Sequence, residues 1–352
     1  MNFITLKKGT TSTAEEERFP MKHSSSVVLS GMRPTGPLHI GHLFGALTNW
    51  RRLQDDGTTC FFMVADYHAL STEYASTGRI RENVEEVALD FLAAGLDPEK
   101  ATIFVQSQVP QHAELHLYFS MVVPIPWLER NPVYKEQVEE LKEKDLHTYG
   151  FLGYPVLQAA DILIYKATTV PIGIDQLPHV ELTREIARRF NFFYGPVFPE
   201  PEALLTETPK VPGTDNRKMS KSYNNSISLK DEPDAVREKI RTMFTDPTRI
   251  HKKDAGHPDT CPVFAYHRLF NTDGSDTIRK ECLGACRGCT DCKKDLIERV
   301  TAYLAPIREI RSRLAADRAG LWKILRKGEE RARAVAAATL EEAKRAMGIF
   351  YA

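Results

Sequence analysis

Two histidines, two lysines and a group of cysteines hold most of the chemistry this sequence could perform. His39 and His42 flank Gly41 in the stretch Pro34-Thr35-Gly36-Pro37-Leu38-His39-Ile40-Gly41-His42. A helix that opens at such a Gly/Pro-rich turn aims unpaired N–H groups and a positive dipole end outward, which suits a phosphate. The two imidazoles lie three residues apart, on one helical face. Gly41 has no side chain, so a flat base could lie on the backbone there. The second group is Lys218-Met219-Ser220-Lys221-Ser222, two lysines in a polar loop. Brought onto a triphosphate, two ammonium groups would neutralise charge as it develops on a leaving pyrophosphate.

A third stretch supplies a carboxylate. In Tyr154-Pro155-Val156-Leu157-Gln158-Ala159-Ala160-Asp161-Ile162-Leu163, helical steps of four and three put Tyr154, Gln158 and Asp161 on one face. A carboxylate among apolar residues is costly without a donor, and either an indole N–H or a phenol O–H is such a donor. Five of the six cysteines fall between 261 and 292: Cys261, Cys282, Cys286, Cys289 and Cys292. Thiols gathered at this spacing read as a metal site rather than a disulfide framework. Four sulfurs fit either a tetrahedral zinc or an iron–sulfur cluster. Cys60, inside an apolar run, reads as core.

The elements that must position these groups alternate between strand and helix. Val27–Ser30, Thr59–Asp66, Thr102–Gln106 and Val170–Gly173 read as strands. The spacing of Leu43, Ala46, Leu47, Trp50 and Leu53 predicts a helix after the first. Further helices are expected over Arg79–Leu92, Tyr154–Tyr165 and His179–Phe190. This alternation predicts an α/β fold with a parallel sheet and right-handed crossovers. The polar end Tyr67-His68-Ala69 is of the kind that lines sites in such sheets. Residues 109–151 read as a mainly helical insertion, 197–211 as irregular and 214–225 as a mobile loop. Beyond Asp234 the chain reads as helix, with a core stripe from Leu296 to Leu314, a kink at Pro306 and a final helix over Glu329–Met347.

Taken together, the histidine turn and the lysine loop resemble the signatures of the class I aminoacyl-tRNA synthetases. The block from Tyr154 to Asn191 resembles the tryptophanyl-tRNA synthetase family, notably in Ala159-Ala160-Asp161-Ile162-Leu163, Val170-Pro171-Ile172-Gly173-Ile174-Asp175-Gln176 and His179-Val180-Glu181-Leu182-Thr183-Arg184. The resemblance runs from about Val27 to Met347. It implies a Rossmann-like parallel-sheet catalytic domain over 26–225 with the helical insertion, and an α-helical anticodon-binding domain over 226–352 whose last helix packs back on the first. It also implies a reaction, in which ATP with Mg²⁺ and L-tryptophan form an adenylate and pyrophosphate, followed by transfer to tRNA(Trp), in a homodimer. By the same resemblance His39, His42, Lys218 and Lys221 act on the phosphates. Arg33, Pro34, Thr35, Gly41, His42, Gly173, Ile174, Asp175, Val211 and Lys218 to Ser222 (through Met219, Ser220 and Lys221) bind ATP. Asp161 accepts the indole N–H, Gln158 shares its pocket, and Tyr154 and Gln176 hold the ammonium. The spacing of Cys261, Cys282, Cys289 and Cys292 is similar to that of members carrying a [4Fe–4S] centre, with Cys286 able to replace one ligand; structural Zn²⁺ is the alternative. Arg279, Arg287, Lys293 and Lys294 would meet tRNA phosphates. Gln158 stands where many members carry Met, and Arg33 where many carry Gln. Two other readings are a tyrosyl-tRNA synthetase and a non-charging, redox-sensing RNA-binding paralogue.

Composition limits the partners. Lys+Arg and Asp+Glu are both 47, so no global field marks a nucleic-acid binder. Between Lys293 and Arg345, however, fourteen basic residues face eight acidic ones, compatible with a phosphate-bearing partner. No apolar run is long enough for a bilayer. Residues 1–25 lack an apolar signal core and read as a flexible extension, so a cytoplasmic protein is expected.

Overall fold

The computed structural model describes residues 26–351 except 133, 136–138, 140–145, 206–210, 247, 250 and 252, and leaves the Ser222 side chain undescribed. The expected N-terminal extension, and part of the helical insertion expected over 109–151, lie outside these residues. Five strands form one parallel sheet: β1 (Val27–Met32), β2 (Thr59–Val64), β3 (Thr102–Val105), β4 (Thr169–Ile172) and β5 (Glu202–Leu205), in the order β3-β2-β1-β4-β5. After their first residues β2 and β3 are continuously apolar because both of their faces are covered. The order reverses between β1 and β4, and a crevice opens outside the strand ends at such a reversal. Strand β5 corrects the reading of 197–211 as irregular. It is a short edge strand preceded by Pro199 and Pro201, and its pairing with β4 selects extended structure where local propensity is silent.

After β1 the chain forms a single helical turn, α1 (Ile40–His42), then a π-helical segment Leu43–Leu47, then α2 (Thr48–Asp55). The Thr48 hydroxyl donates to the Leu43 carbonyl at 2.8 Å. Such widened turns cluster at functional sites. Helices α3 (Asp66–Glu73) and α4 (Ile80–Ala93) connect β2 to β3, and α5 (Gln111–Val122) and α6 (Ile125–Glu129) follow. Helix α7 spans Tyr149–Ile164. It starts before the expected Tyr154, because Thr148 Oγ1 caps it by accepting the Phe151 N–H at 3.2 Å and Pro155 is accommodated inside. Helix α8 (Leu177–Tyr194) connects β4 to β5.

Beyond the sheet come α9 (Pro233–Arg241), α10 (Pro262–Phe270), α11 (Ser275–Leu283), α12 (Cys289–Ala316) and α13 (Arg318–Ala346). Pro306 lies inside α12. Helix α13 begins eleven residues before the expected start, capped by Asp317, which accepts the Gly320 N–H at 2.9 Å. It lies directly on β3: a Cβ added at Gly328 would stand 1.8 Å from the Ile103 carbonyl oxygen. Two apolar clusters sandwich the sheet. One gathers Trp50, Phe62, Phe91 and Leu304, with Trp50 and Phe62 stacked at 4.8 Å. The other gathers Phe104, Phe119, Ile162 and Phe190. Among the described residues no helix is long and apolar enough to cross a membrane.

Candidate active site

The crevice at the β1/β4 reversal is a cavity of about 370 Å³. It is lined by Gly31, Met32 and Arg33 from the end of β1, by Gly45 and Ala46 from the π-helical turn, and by Pro171, Ile172, Gly173 and Gln176 following β4. Tyr154, Gln158 and Asp161 of α7 enter it together, as their helical spacing predicts. So does His68 of α3, from the polar strand end after β2.

Asp161 is fully buried. Its Oδ1 accepts from His112 Nδ1 at 2.6 Å and from Gln106 Nε2 at 2.8 Å; its Oδ2 accepts from His68 Nε2 at 2.7 Å and from Gln106 Nε2 at 2.9 Å. Burial alone would raise this carboxyl, but the bonds from His112 and His68 outweigh it and bring the pKa down to about 2. Because Nδ1 of His112 faces a carboxylate, it carries the proton, and Nε2 then accepts from the Tyr165 hydroxyl at 2.7 Å. A carboxylate has about four lone-pair positions, and these contacts occupy them. A further donor from the cavity must therefore displace one, and His68 is the partner that faces the cavity. On the same wall the Tyr154 hydroxyl meets His179 Nε2 at 3.0 Å. Burial lowers His179 to about 4, so it is neutral and fixes the phenol as donor or acceptor by its tautomer. Gln106 and His112 carry no motif of their own, and His179, although it opens the His179–Arg184 stretch, takes no role from the sequence. Only their positions at the end of β3 and the starts of α5 and α8 could have hinted at a role.

The histidine turn sits beside this cavity. The His39 and His42 ring centroids are 3.7 Å apart. The His39 backbone N–H donates to His42 Nδ1 at 3.2 Å. Burial, then each other's proximity and Lys221, push His42 well below its ordinary value; burial and Lys221 lower His39 to about 4. Both are therefore neutral at pH 7. With Nδ1 of His42 accepting, its proton is on Nε2. Among the described residues Nδ1 of His39 is buried without a hydrogen-bond partner, an atom a ligand could satisfy. The open face expected at Gly41 is filled here: a Cβ would meet His39 Nδ1 at 2.9 Å and Met219 Sδ at 3.3 Å. Glycine at 41 thus lets the imidazole and the lysine loop close on the turn.

The lysine loop is docked, where the sequence predicts mobility. Lys221 Nζ donates to the Gly36 carbonyl at 2.6 Å and to Thr35 Oγ1 at 3.4 Å. Burial lowers Lys221 to about 8, against the opposing pull of Asp90 and Glu86. Buried Asn225 staples the loop. Its Oδ1 accepts the Ser220 N–H at 2.8 Å, and its Nδ2 donates to Asp215 at 2.8 Å and to the Lys218 carbonyl at 3.0 Å. Pro212, next to Val211, bridges Lys218. Downstream, the Ile40 N–H donates to the Ile227 carbonyl at 3.0 Å, and the Leu229 N–H to the Leu38 carbonyl at 3.0 Å, so one short pairing joins both motifs. Pro34 and Gly36 are buried in the turn, Arg33 and Thr35 are exposed, and Asp175 stands where a Cβ at Gly173 would meet its Oδ1 at 2.7 Å. Ile174 is exposed at 62%.

Cys261, Cys282, Cys289 and Cys292 line one small cavity with Arg249 and Arg287. Arg249 Nη1 points at Cys289 Sγ at 3.7 Å. Cys286 is exposed and turned to the Gly284 carbonyl, and does not line the cavity. Among the described residues no three His, Cys, Asp or Glu side chains surround one point closely enough to hold a single metal ion as they stand. Four soft donors facing one space with two guanidinium groups beside them do fit an anionic thiolate-held group. A Cβ at Gly256 would lie 2.5 Å from Cys282 Sγ, so that wall is tightly built. The basic residues expected on tRNA are engaged within the chain: Arg279 pairs with Asp259, Arg287 with Glu281, Lys293 with the Arg241 and Met243 carbonyls, and Lys294, exposed, with Asp291 at 3.9 Å.

A parallel sheet with a histidine turn and a lysine loop closing on its β1/β4 crevice defines a class I synthetase. The description "tRNA synthetases class I (W and Y)" matches residues 21–305, and the chain belongs to that family. Tryptophan–tRNA ligases are its similar relatives. That of Thermotoga maritima is 52% identical over 92% of this chain and 99% of its own, and that of Aquifex aeolicus 43% over 92% and 99%. The structure of tryptophanyl-tRNA synthetase from Campylobacter jejuni complexed with ADP and tryptophan superposes with a TM-score of 0.83 at 33% identity, over 92% of this chain and 99% of that one. Within the family, then, the chain belongs to the tryptophan–tRNA ligases.

Proposed function

We propose that this chain activates L-tryptophan with ATP and transfers it to tRNA(Trp). The observation that carries the reading is the meeting of Tyr154, Gln158, Asp161 and Gln176 in one cavity, beside a turn and loop that present neutral imidazoles and a half-buried lysine. The amino-acid carboxylate attacks the α-phosphorus of ATP. A carboxylate-oxygen–phosphorus bond forms and the α–β bridging bond breaks, releasing pyrophosphate. His42 Nε2–H donates to the α-phosphate oxygens, with His39 beside it. Lys221 leaves the Gly36 carbonyl for the pyrophosphate, and Lys218 approaches from the same loop. Arg33, Pro34, Thr35, Gly41, Gly173, Ile174, Asp175, Val211, Met219, Ser220 and Ser222 surround the nucleotide. Mg²⁺ travels with the triphosphate and shields its charge. The indole N–H takes the place of His68 at Asp161 Oδ2, and Tyr154 and Gln176 hold the ammonium. Exchange of pyrophosphate into ATP is expected with tryptophan and not with tyrosine. Exchange with tyrosine alone would mean that Asp161 reads a phenol.

We infer further that Cys261, Cys282, Cys289 and Cys292 hold a [4Fe–4S] cluster, which when bound would pin α10, α11 and α12 together. Anaerobically purified protein is expected to be brown, with about four iron and four sulfide per chain, lost in Cys289→Ser and kept in Cys286→Ser. One zinc per colourless chain would establish the alternative. Leu117, Met121 and Ile125, exposed at 49, 70 and 60%, supply an apolar face for the second copy of a homodimer, and the protein is read as cytoplasmic.

A further inference from the structure

One buried carboxylate outside the cavity touches the histidine turn. Asp90 of α4 is fully buried. Its Oδ2 accepts the Leu38 N–H at 2.6 Å, immediately before His39. Its Oδ1 accepts from Arg311 Nε at 2.8 Å, near the C-terminal end of α12. The same guanidinium reaches Glu86 Oε2 through Nη2 at 2.5 Å, and Lys230 holds Glu86 from the segment after the lysine loop at 3.0 Å. Arg311 is itself largely buried. A buried charge pair of this kind adds little net stability over an apolar pair of the same shape. Its position has a different consequence. The carboxylate grips the backbone that presents His39 and His42, while its charge, with that of Glu86, acts on Lys221 across the turn.

We propose that Asp90, held by Arg311, is a positioning residue for the activation step: it fixes the Leu38–His39 backbone and sets negative charge across the turn from the Lys221 ammonium, tying the reacting turn to a helix of the C-terminal region. The inference rests on the ATP-dependent reading above. Groups facing Lys221 are Asp90 and Glu86 on α4 and His39 and His42 on the turn, with Thr35 Oγ1 and the Gly36 carbonyl as its hydrogen-bond partners. Removing the charge of Asp90 leaves Lys221 less favoured as a cation, so the alkaline limb of activity moves to lower pH. The tryptophan pocket lies on α3, α7 and the end of β4, and its contacts do not include Asp90.

The test is tryptophan-dependent pyrophosphate exchange on the full chain, as a function of pH, for wild type, Asp90→Asn and Arg311→Lys, each with a thermal melt. The amide introduced by Asp90→Asn still offers an oxygen to the Leu38 N–H. Expected for Asp90→Asn is a fall in kcat of roughly 10- to 100-fold, the scale of a small misplacement of reacting groups, with KM for tryptophan unchanged and the alkaline limb shifted to lower pH. Arg311→Lys keeps the cation and is expected to retain the pH profile, with a smaller loss in kcat. A lowered melting temperature with wild-type kcat and alkaline limb would overturn the proposal and leave a structural ion pair. Should Asp90→Asn not fold, Arg311→Met in the same assay decides: an unchanged kcat and alkaline limb overturns it, and a lowered kcat at unchanged KM for tryptophan supports it. Failure of wild type to exchange at all would count against the activity, a result distinct from any of these.

Discussion

Replacing His42 with Ala lowers kcat for tryptophan-dependent pyrophosphate exchange by about 100- to 1000-fold, the range for one preorganised donor aimed at developing charge, while tryptophan binding measured without ATP is unchanged. The backbone fixes the chemistry of this ring. The His39 N–H occupies Nδ1, so the free N–H is Nε2, and burial keeps the ring neutral at working pH. Two consequences follow. Gln at 42, whose amide nitrogen reaches about as far as Nε2, restores part of the rate, whereas Asn restores less. The pH profile also lacks an acid limb near the ordinary histidine value of about 6.5. In kcat/KM, which reports the free enzyme, the alkaline limb falls near pH 8, where Lys221 loses its proton. Recovery with Asn rather than Gln, in a pH-resolved exchange assay, would show that Nδ1 is the donor and that the tautomer is wrongly assigned.

Asp161→Ala is expected to damage the fold and the substrate site together. Removing the carboxylate leaves His68, Gln106 and His112 with buried donors and no acceptor. Breaking a buried charged network in this way costs about 3–5 kcal/mol, on the order of 10 °C in melting temperature for a domain of this size. The KM for tryptophan rises as well, because the indole acceptor is gone. The wild-type protein carries a related acid sensitivity. The carboxyl is lowered from about 3.9 in an unfolded chain to about 2 in the fold. Its contribution is therefore fully present above about pH 4 and is lost as pH falls through 2. Calorimetric melts from pH 7 to 2 of wild type and Asp161→Asn check both statements: the wild-type curve loses stability across that window and the Asn variant loses less. Equal slopes would mean that the carboxyl is not held as an anion by its partners.

The sequence by itself determined the chemistry-bearing groups and the frame that holds them. His39, Gly41 and His42, the Lys218–Ser222 loop, and Tyr154, Gln158 and Asp161 are legible because function here uses residues close in sequence, at spacings that helices convert directly into a shared face. Strands β2 and β3 are legible because burial on both faces demands nearly unbroken apolar runs. What only the tertiary structure decided involves partners distant along the chain. Strand β5 exists because β4 offers it an edge. Asp161 owes its charge to His112 and His68, with Gln106 bonded beside them, residues from three other elements separated from it by 49 to 93 positions. The lysine loop is closed by Asn225 and by the pairing of Ile227–Leu229 with the histidine turn, although its polar, glycine-bearing composition predicts mobility. Gly41 accommodates a neighbouring ring and sulfur rather than open space. Arg311 meets Asp90 across 221 residues. Spacing and periodicity encode what one helix or strand presents, but which buried charge answers which is settled only when distant elements pack, because the free energy of a buried polar group depends on the partners that surround it.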